Sequence, residues 1–265
     1  MTAQQSADHF QTRVVPMLTL AIATLIVFCL TTIVGLAGIG AAFVIIPFFY
    51  WLGIPLGMAM ATALLLNSIS MSVASITYTR SRLVLFHTAI PVILLAMVFS
   101  PLGAYTTQLL PREVLLWLFV GFLLFAGSMM LFFRPHAKEA ERSQRQKLTF
   151  GGLLGAGEGY VGGLLGVGGG NFIVPALIWF GIDPRKAAAT SAFIVIFSSL
   201  AAFFGHAAIG NVNLPLLGCS AVASVAGGLL ASWLVSFKLK PRQVKFVFAI
   251  LVYLIATKMI WGLVS

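Results

Sequence analysis

Apolar runs of helical length, separated by short breaks, fill the chain from about position 14 to its end. Ten of them read as helices, at roughly 14–34, 41–52, 57–79, 86–108, 112–133, 148–165, 171–181, 184–205, 214–237 and 242–264. None shows the period-two alternation of a half-buried strand or of an outer-membrane barrel. Eight of the runs hold about 18 residues or more, enough to cross a hydrocarbon core of about 30 Å at about 1.5 Å per residue. The second and seventh hold about 12 residues and reach only about 18 Å, so they are expected to stop inside the membrane layer.

The order of long and short runs repeats. Gly35, Gly38, Gly40, Pro47, Gly53, Ala59, Ala61, Thr62 and Ser70 recur 128 positions later as Gly163, Gly166, Gly168, Pro175, Gly181, Ala187, Ala189, Thr190 and Ser198. Further on, PREV at 111–114 matches PRQV at 241–244. The chain therefore reads as a tandem duplication. A polar N-terminal segment (1–13) precedes the first repeat (14–133), and the linker RPHAKEAERSQRQK (134–147) leads to the second (148–265).

Composition turns this pattern into a membrane protein. Of 265 residues, 60% are hydrophobic and 8% charged, whereas a soluble domain carries about a quarter charged residues. The net charge of +10 would fit nucleic acid if it were spread over a surface. Instead, thirteen of the sixteen Lys and Arg fall in four short segments: Arg80/Arg82, Arg134 to Lys147, Arg185/Lys186 and Lys238 to Lys245. That is the signature of cytoplasmic loops, so lipid is the expected macroscopic partner and nucleic acid is not.

The charges also orient the repeats. The loop near 81 is basic and those near 54 and 110 are neutral overall, while their equivalents near 184 and 241 are basic and near 209 uncharged in the opposite sense. If basic loops are cytoplasmic, the halves lie upside down to one another, the plan of an inverted-repeat transporter. The fold class expected is thus an all-α helical bundle of two inverted repeats. Each repeat has a long-plus-short helix hairpin around a glycine turn, then three transmembrane helices. Both termini are expected outside the inner (cytoplasmic) membrane.

Glycine at these turns has a chemical use. It permits the positive φ a tight turn needs and bares backbone N–H groups at the start of the short helix, at Ala41 to Phe43 and Gly169 to Phe172. With the positive end of the helix dipole, such groups form an anion site, tolerable in lipid only where they face protein or a cavity. Two inverted turns would meet near the midplane, giving Gly40, Ala41, Ala42, Gly168, Gly169, Gly170 and Asn171 as substrate-binding candidates. For Gly152, Gly155, Gly159 and Gly163, spaced along one helix, close helix packing is the simpler reading.

The segment GVGGGNFIVPALIWFGIDPRKAAATSAF and its weaker copy GIGAAFVIIPFFYWLGIPLGMAMATALL resemble the sulfite and organosulfonate exporter family (TauE/SafE). The likeness covers about 15–264 and rests on the glycine turn followed by F-x-x-P and the duplicated helix start. It implies export of a small sulfur oxyanion or C2 sulfonate, such as sulfoacetate, from the cytoplasm. One departure is Ala41 and Ala42 where the second turn has Gly169 and Gly170, which implies closer backbone approach at the second turn.

Polar residues inside the apolar runs complete the candidate list. Thr62, Asn67 and Ser70, and in the second repeat Thr190 and Ser198, could offer neutral donors to an anion that must be released again. Such hydroxyls equally often bond their own helix. Glu158, the one acid deep in an apolar run, and His206, expected near the outer end of its helix, are candidates for proton coupling. Arg80, Arg82, Arg185 and Lys186 would gather anions at the cytoplasmic mouth or simply fix topology. Cys29 and Cys219 have no metal or disulfide spacing. The glycine run lacks a following Lys-Ser/Thr, and no nucleophile–base pair appears. An enzyme, a cofactor and a metal are not expected. A channel using the same turns, or an exporter of another oxyanion or carboxylate, is the alternative.

Overall fold

The computed structural model describes residues 17–36, 40–132, 144–208, 213–235 and 241–264, and among them every regular element is a helix. In chain order these are α1 (Met17–Leu36), α2 (Ala42–Trp51), α3 (Leu56–Arg80), α4 (Phe86–Thr106), α5 (Arg112–Phe132), α6 (Gln144–Leu165), α7 (Gly170–Trp179), α8 (Pro184–Ala208), α9 (Leu214–Val235) and α10 (Pro241–Val264). All ten expected runs are present, the largest disagreement at an end being 148 against Gln144. The segment 1–13, Gly38 of the first turn and most of the linker 134–147 lie outside the described residues.

Five helices, not eight, are long and apolar enough to cross a membrane among the residues described: Met17–Val34, Leu56–Arg80, Phe86–Thr106, Arg112–Met129 and Pro184–Ala208. The shortfall has a chemical cause in α6, whose 22 residues include seven glycines and whose first turn is polar. In α9 and α10 the apolar stretches among the described residues are Leu214–Leu230 and Ala249–Val264. The bundle is apolar outward as well as inward. Leu18, Leu94, Val98, Leu153, Val222 and Trp261 stand exposed on its flanks, as lipid-facing side chains do.

Caps explain where several helices begin. Asp183 Oδ1 accepts hydrogen bonds from the N–H groups of Arg185 (3.0 Å) and Lys186 (3.3 Å), and Pro184 takes the first helical position, the arrangement expected for the start of α8. Asn213 does the same for α9, its Oδ1 accepting from Leu216 N at 3.0 Å.

Packing exchanges elements between the halves. α1 lies on α9 and α6 on α4, so the first helix of each repeat packs on the fourth of the other. α3 pairs with α8, and α5 with α10, across the centre. In the α4·α6 contact, a Cβ on Gly155, Gly159 or Gly163 would run into the backbone of Val92, Ala96 or Ser100. The constant offset makes these helices parallel and fixes their close approach. In α3 and α8, Asn67 meets Ser199 and Ser68 meets Ile196, while Leu85 just beyond α3 meets Thr190 near the start of α8, so the two run in opposite directions. The loops carrying Arg80/Arg82 and Arg185/Lys186 therefore share one end of the bundle.

Candidate functional site

α2 and α7 have ten residues each and reach about 15 Å, half the apolar thickness, before α3 and α8 resume. Their first turns come together. Phe122 of α5 lies edge-on to Phe43 of α2 (6.2 Å between ring centres) and against Phe172 of α7 (5.2 Å). The second glycine turn is left-handed at three positions, with φ of 70° at Gly166, 64° at Gly168 and 37° at Gly169, which L side chains rarely adopt.

Asn67, fully buried near the middle of α3, stands between the two turns. A Cβ on Gly40 would fall on the Asn67 carboxamide, and one on Gly168 would lie 2.5 Å from Asn67 Nδ2 and collide with Ser199 Oγ. Asn67 Nδ2 itself donates to Ser199 Oγ at 3.0 Å, whereas Asn67 Oδ1 has no partner. The glycines are needed here because a polar side chain occupies the space a methyl group would take.

Beside this pair, Ser198 Oγ donates to Glu158 Oε1 at 2.9 Å. Glu158 is 3% exposed, its Oε2 has no partner, and its carboxyl group lies where a Cβ on Gly169 would stand. Asn67, Ser199, Ser198 and Glu158 thus wrap the second turn from three helices, α3, α8 and α6. Burying polar atoms without partners costs on the order of 1–3 kcal/mol each, so such a cluster in an apolar bundle calls for a use.

Other candidates divide. Ser70 Oγ donates to the Asn67 carbonyl of its own helix at 3.1 Å, and Thr190 Oγ1 accepts from Leu85 N at 3.0 Å, so both serve as struts. Thr62 is fully buried with an unpartnered hydroxyl on α3. Ala41 and Ala42 are buried at the start of α2. Of the four amides expected to be free between Gly169 and Phe172, two are used locally: Gly170 N donates to Gly168 O at 2.6 Å and Phe172 N to Gly169 O at 2.9 Å. The tight left-handed turn folds them back on itself. The carbonyl of Gly170 lies 3.5 Å from Ser191 Oγ, and Asn171 is half-buried on the first turn of α7.

His206, in the last turn of α8, is buried (1% exposed), its Nε2 3.0 Å from the carbonyl of Gly163 on α6. Gly163 is free of a side chain where α6 meets α4, which leaves its carbonyl within reach of the imidazole. Arg80, Arg82, Arg185 and Lys186 are exposed. Only the helix rotation shows that Ser199, rather than the adjacent Ser198, faces Asn67.

A helical bundle with apolar flanks, two half-length helices and buried polar groups at their meeting point has the build of a multi-pass membrane transporter. The chain belongs to the sulfite exporter TauE/SafE family, whose profile matches residues 23–259. It is similar to the "Probable membrane transporter protein YunE" of Bacillus subtilis (strain 168), 23% identical over 257 residues, 87% of this chain and 93% of the relative. It is also similar to the "Probable membrane transporter protein MJ0441" of Methanocaldococcus jannaschii, 22% identical over 226 residues (80% and 84%). A shorter match, 36% identical over 72 residues, joins 24% of the chain to 16% of "Sulfite exporter TauE/SafE family protein 1" of Arabidopsis thaliana. No solved structure matches.

Proposed function

We propose that this transporter exports a small oxyanion, sulfite or a C2 sulfonate such as sulfoacetate, from the cytoplasm through a site at the membrane midplane where the two glycine turns meet. The observation that carries this reading is the convergence of both turns on one side chain, Asn67, in the middle of α3. The passenger would be held by Asn67, Ser198, Ser199, Thr62 and the amides at the head of α7, notably Gly169 and Asn171. Neutral donors suit release, since a fixed charge in a low dielectric would hold an anion too tightly. The family's name is the second support.

The two repeats, 14–133 and 148–265, would be inverted about an axis through the α3·α8 crossing. The antiparallel course of that pair and the exchange of α1 and α6 between halves support this reading. With Arg80, Arg82, Arg185 and Lys186 at the cytoplasmic mouth, both termini fall outside the inner membrane. Export then runs with the interior-negative potential, worth about 2.3 kcal/mol per charge per 100 mV.

Glu158 is the group that can exchange a proton as an anion passes, being buried against the second turn with one oxygen unpartnered. A passenger accompanied by a proton would leave faster as the cytoplasmic-side pH falls. Glu158→Gln should flatten that dependence, measured as efflux between about pH 5.5 and 8; an unchanged pH profile would remove Glu158 from coupling and leave His206.

The test of the function is efflux of labelled sulfite, sulfoacetate and an acetate control from proteoliposomes with an imposed potential of either sign. Saturable sulfite or sulfoacetate efflux, faster from a negative lumen and well above acetate, is expected. Absence of anion flux would overturn the proposal, and flux that never saturates would make the protein a channel.

A further inference from the structure

Away from the basic loops, at the other end of the bundle, a cavity of about 280 Å³ opens between the starts of α3 and α5 and the ends of α4 and α8. Apolar residues, among them Leu56 and Leu115, make most of its wall, and Thr107, Gln108, Arg112 and His206 supply the polar groups. Two of these reach the glycine machinery. His206 Nε2 pairs with the Gly163 carbonyl, and Thr107 Oγ1 donates to the Leu164 carbonyl at 3.0 Å. Carbonyls at a helix C-terminus have no donor in their own helix, so these side chains cap α6 immediately before Gly166 begins the second turn. Two side chains of the cavity wall are therefore bonded to the backbone that leads into the turn.

Arg112 marks the mouth. Its guanidinium lies 4.9 Å from the centre of the Tyr50 ring and donates to the Tyr50 hydroxyl. A neutral partner orients the fork and leaves its charge uncancelled; exposed Glu113 is the nearest acid along the chain.

We propose that this cavity is the outer vestibule of the transport path, a second anion site in which Arg112 receives the departing oxyanion before release. The proposal rests on the exporter reading above. A guanidinium fork matches two oxygens of a sulfur oxyanion, and a charge at an apolar-walled mouth concentrates anions there. His206, its Nε2 already bonded to the Gly163 carbonyl, serves as part of the cavity wall.

The test uses Gln108→Cys in a chain whose Cys29 and Cys219 are serine, labelled in proteoliposomes by an impermeant thiol reagent bearing a sulfonate. Labelling from the outer face is expected, slowed about tenfold by saturating sulfoacetate, which does not react with thiol reagents, on that face. Adding Arg112→Gln should abolish the protection and lower the preference for the sulfonate reagent over a cationic one about fivefold. Sulfite flux by the same cysteine variant is measured in parallel. Flux without protection, or labelling only from the face of Arg80 and Arg185, overturns the vestibule and spares the exporter reading. Loss of both flux and protection overturns both.

Discussion

Gly168 shows most sharply why a residue type is needed where it is. Its φ of 64° and its contact with Ser199 and Asn67 exclude a methyl group twice over. Gly168→Ala should lower stability by at least about 1–2 kcal/mol from the left-handed backbone alone and reduce flux further by pushing Asn67 aside, read by thermal unfolding in detergent beside efflux. Asn67→Leu removes the amide itself. It gives up an unpartnered buried oxygen together with the bond to Ser199 and adds bulk beside Gly40 and Gly168, so the protein should stay folded at a cost of about 1–3 kcal/mol and lose transport. The composition of the cluster was partly legible. A buried Asn, a lone Glu and a glycine turn announce themselves in an apolar chain, and Asn67, Glu158 and Gly168 to Gly170 stand out for that reason. Ser70 and Thr190 look equally polar in sequence. What separates them is which backbone group each hydroxyl meets, and that follows from packing between α3, the loop at Leu85 and α8.

Helices were the most legible level, because apolar runs with glycine and proline breaks leave little choice in lipid. The half-length α2 and α7 followed from counting residues. Less visible was the partner of each helix. The glycine ladder of α6 reads as a packing face, yet only the fold shows that it seats on α4, and that the reciprocal α1·α9 contact puts its glycine, Gly227, on α9 against Phe28 and Thr31. The same helix supplies a matched pair of tests. Gly159→Val should cost on the order of 3 kcal/mol or more, since its side chain would enter the Ala96 backbone. Gly157→Ala, with nothing within 4 Å, should stabilise by about 0.5–1 kcal/mol. Unfolding curves of the two variants check both; equal effects would show that α6 does not seat on α4 in this way.

The assembled bundle brings to one point what the chain keeps more than a hundred residues apart. Two glycine turns, spaced 128 positions apart in sequence, close on Asn67 because α3 and α8 cross in opposite directions. The repeat and the basic loops made this arrangement expected, while its side chains, Ser199 and Glu158 above all, had to be seen in place. The same crossing puts Arg80 and Arg185 at one face, so single cysteines at 81 and 185 should label from the cytoplasmic side alone, and one at Leu109 from the outside alone. The account turns on the claim that the meeting point at Asn67 is where the anion binds, and sulfite counterflow in proteoliposomes measures this most directly, with wild type and Asn67→Leu reconstituted at matched, folded amounts. Exchange should fall at least about tenfold in the folded variant. Undiminished exchange by a stable Asn67→Leu protein would contradict it.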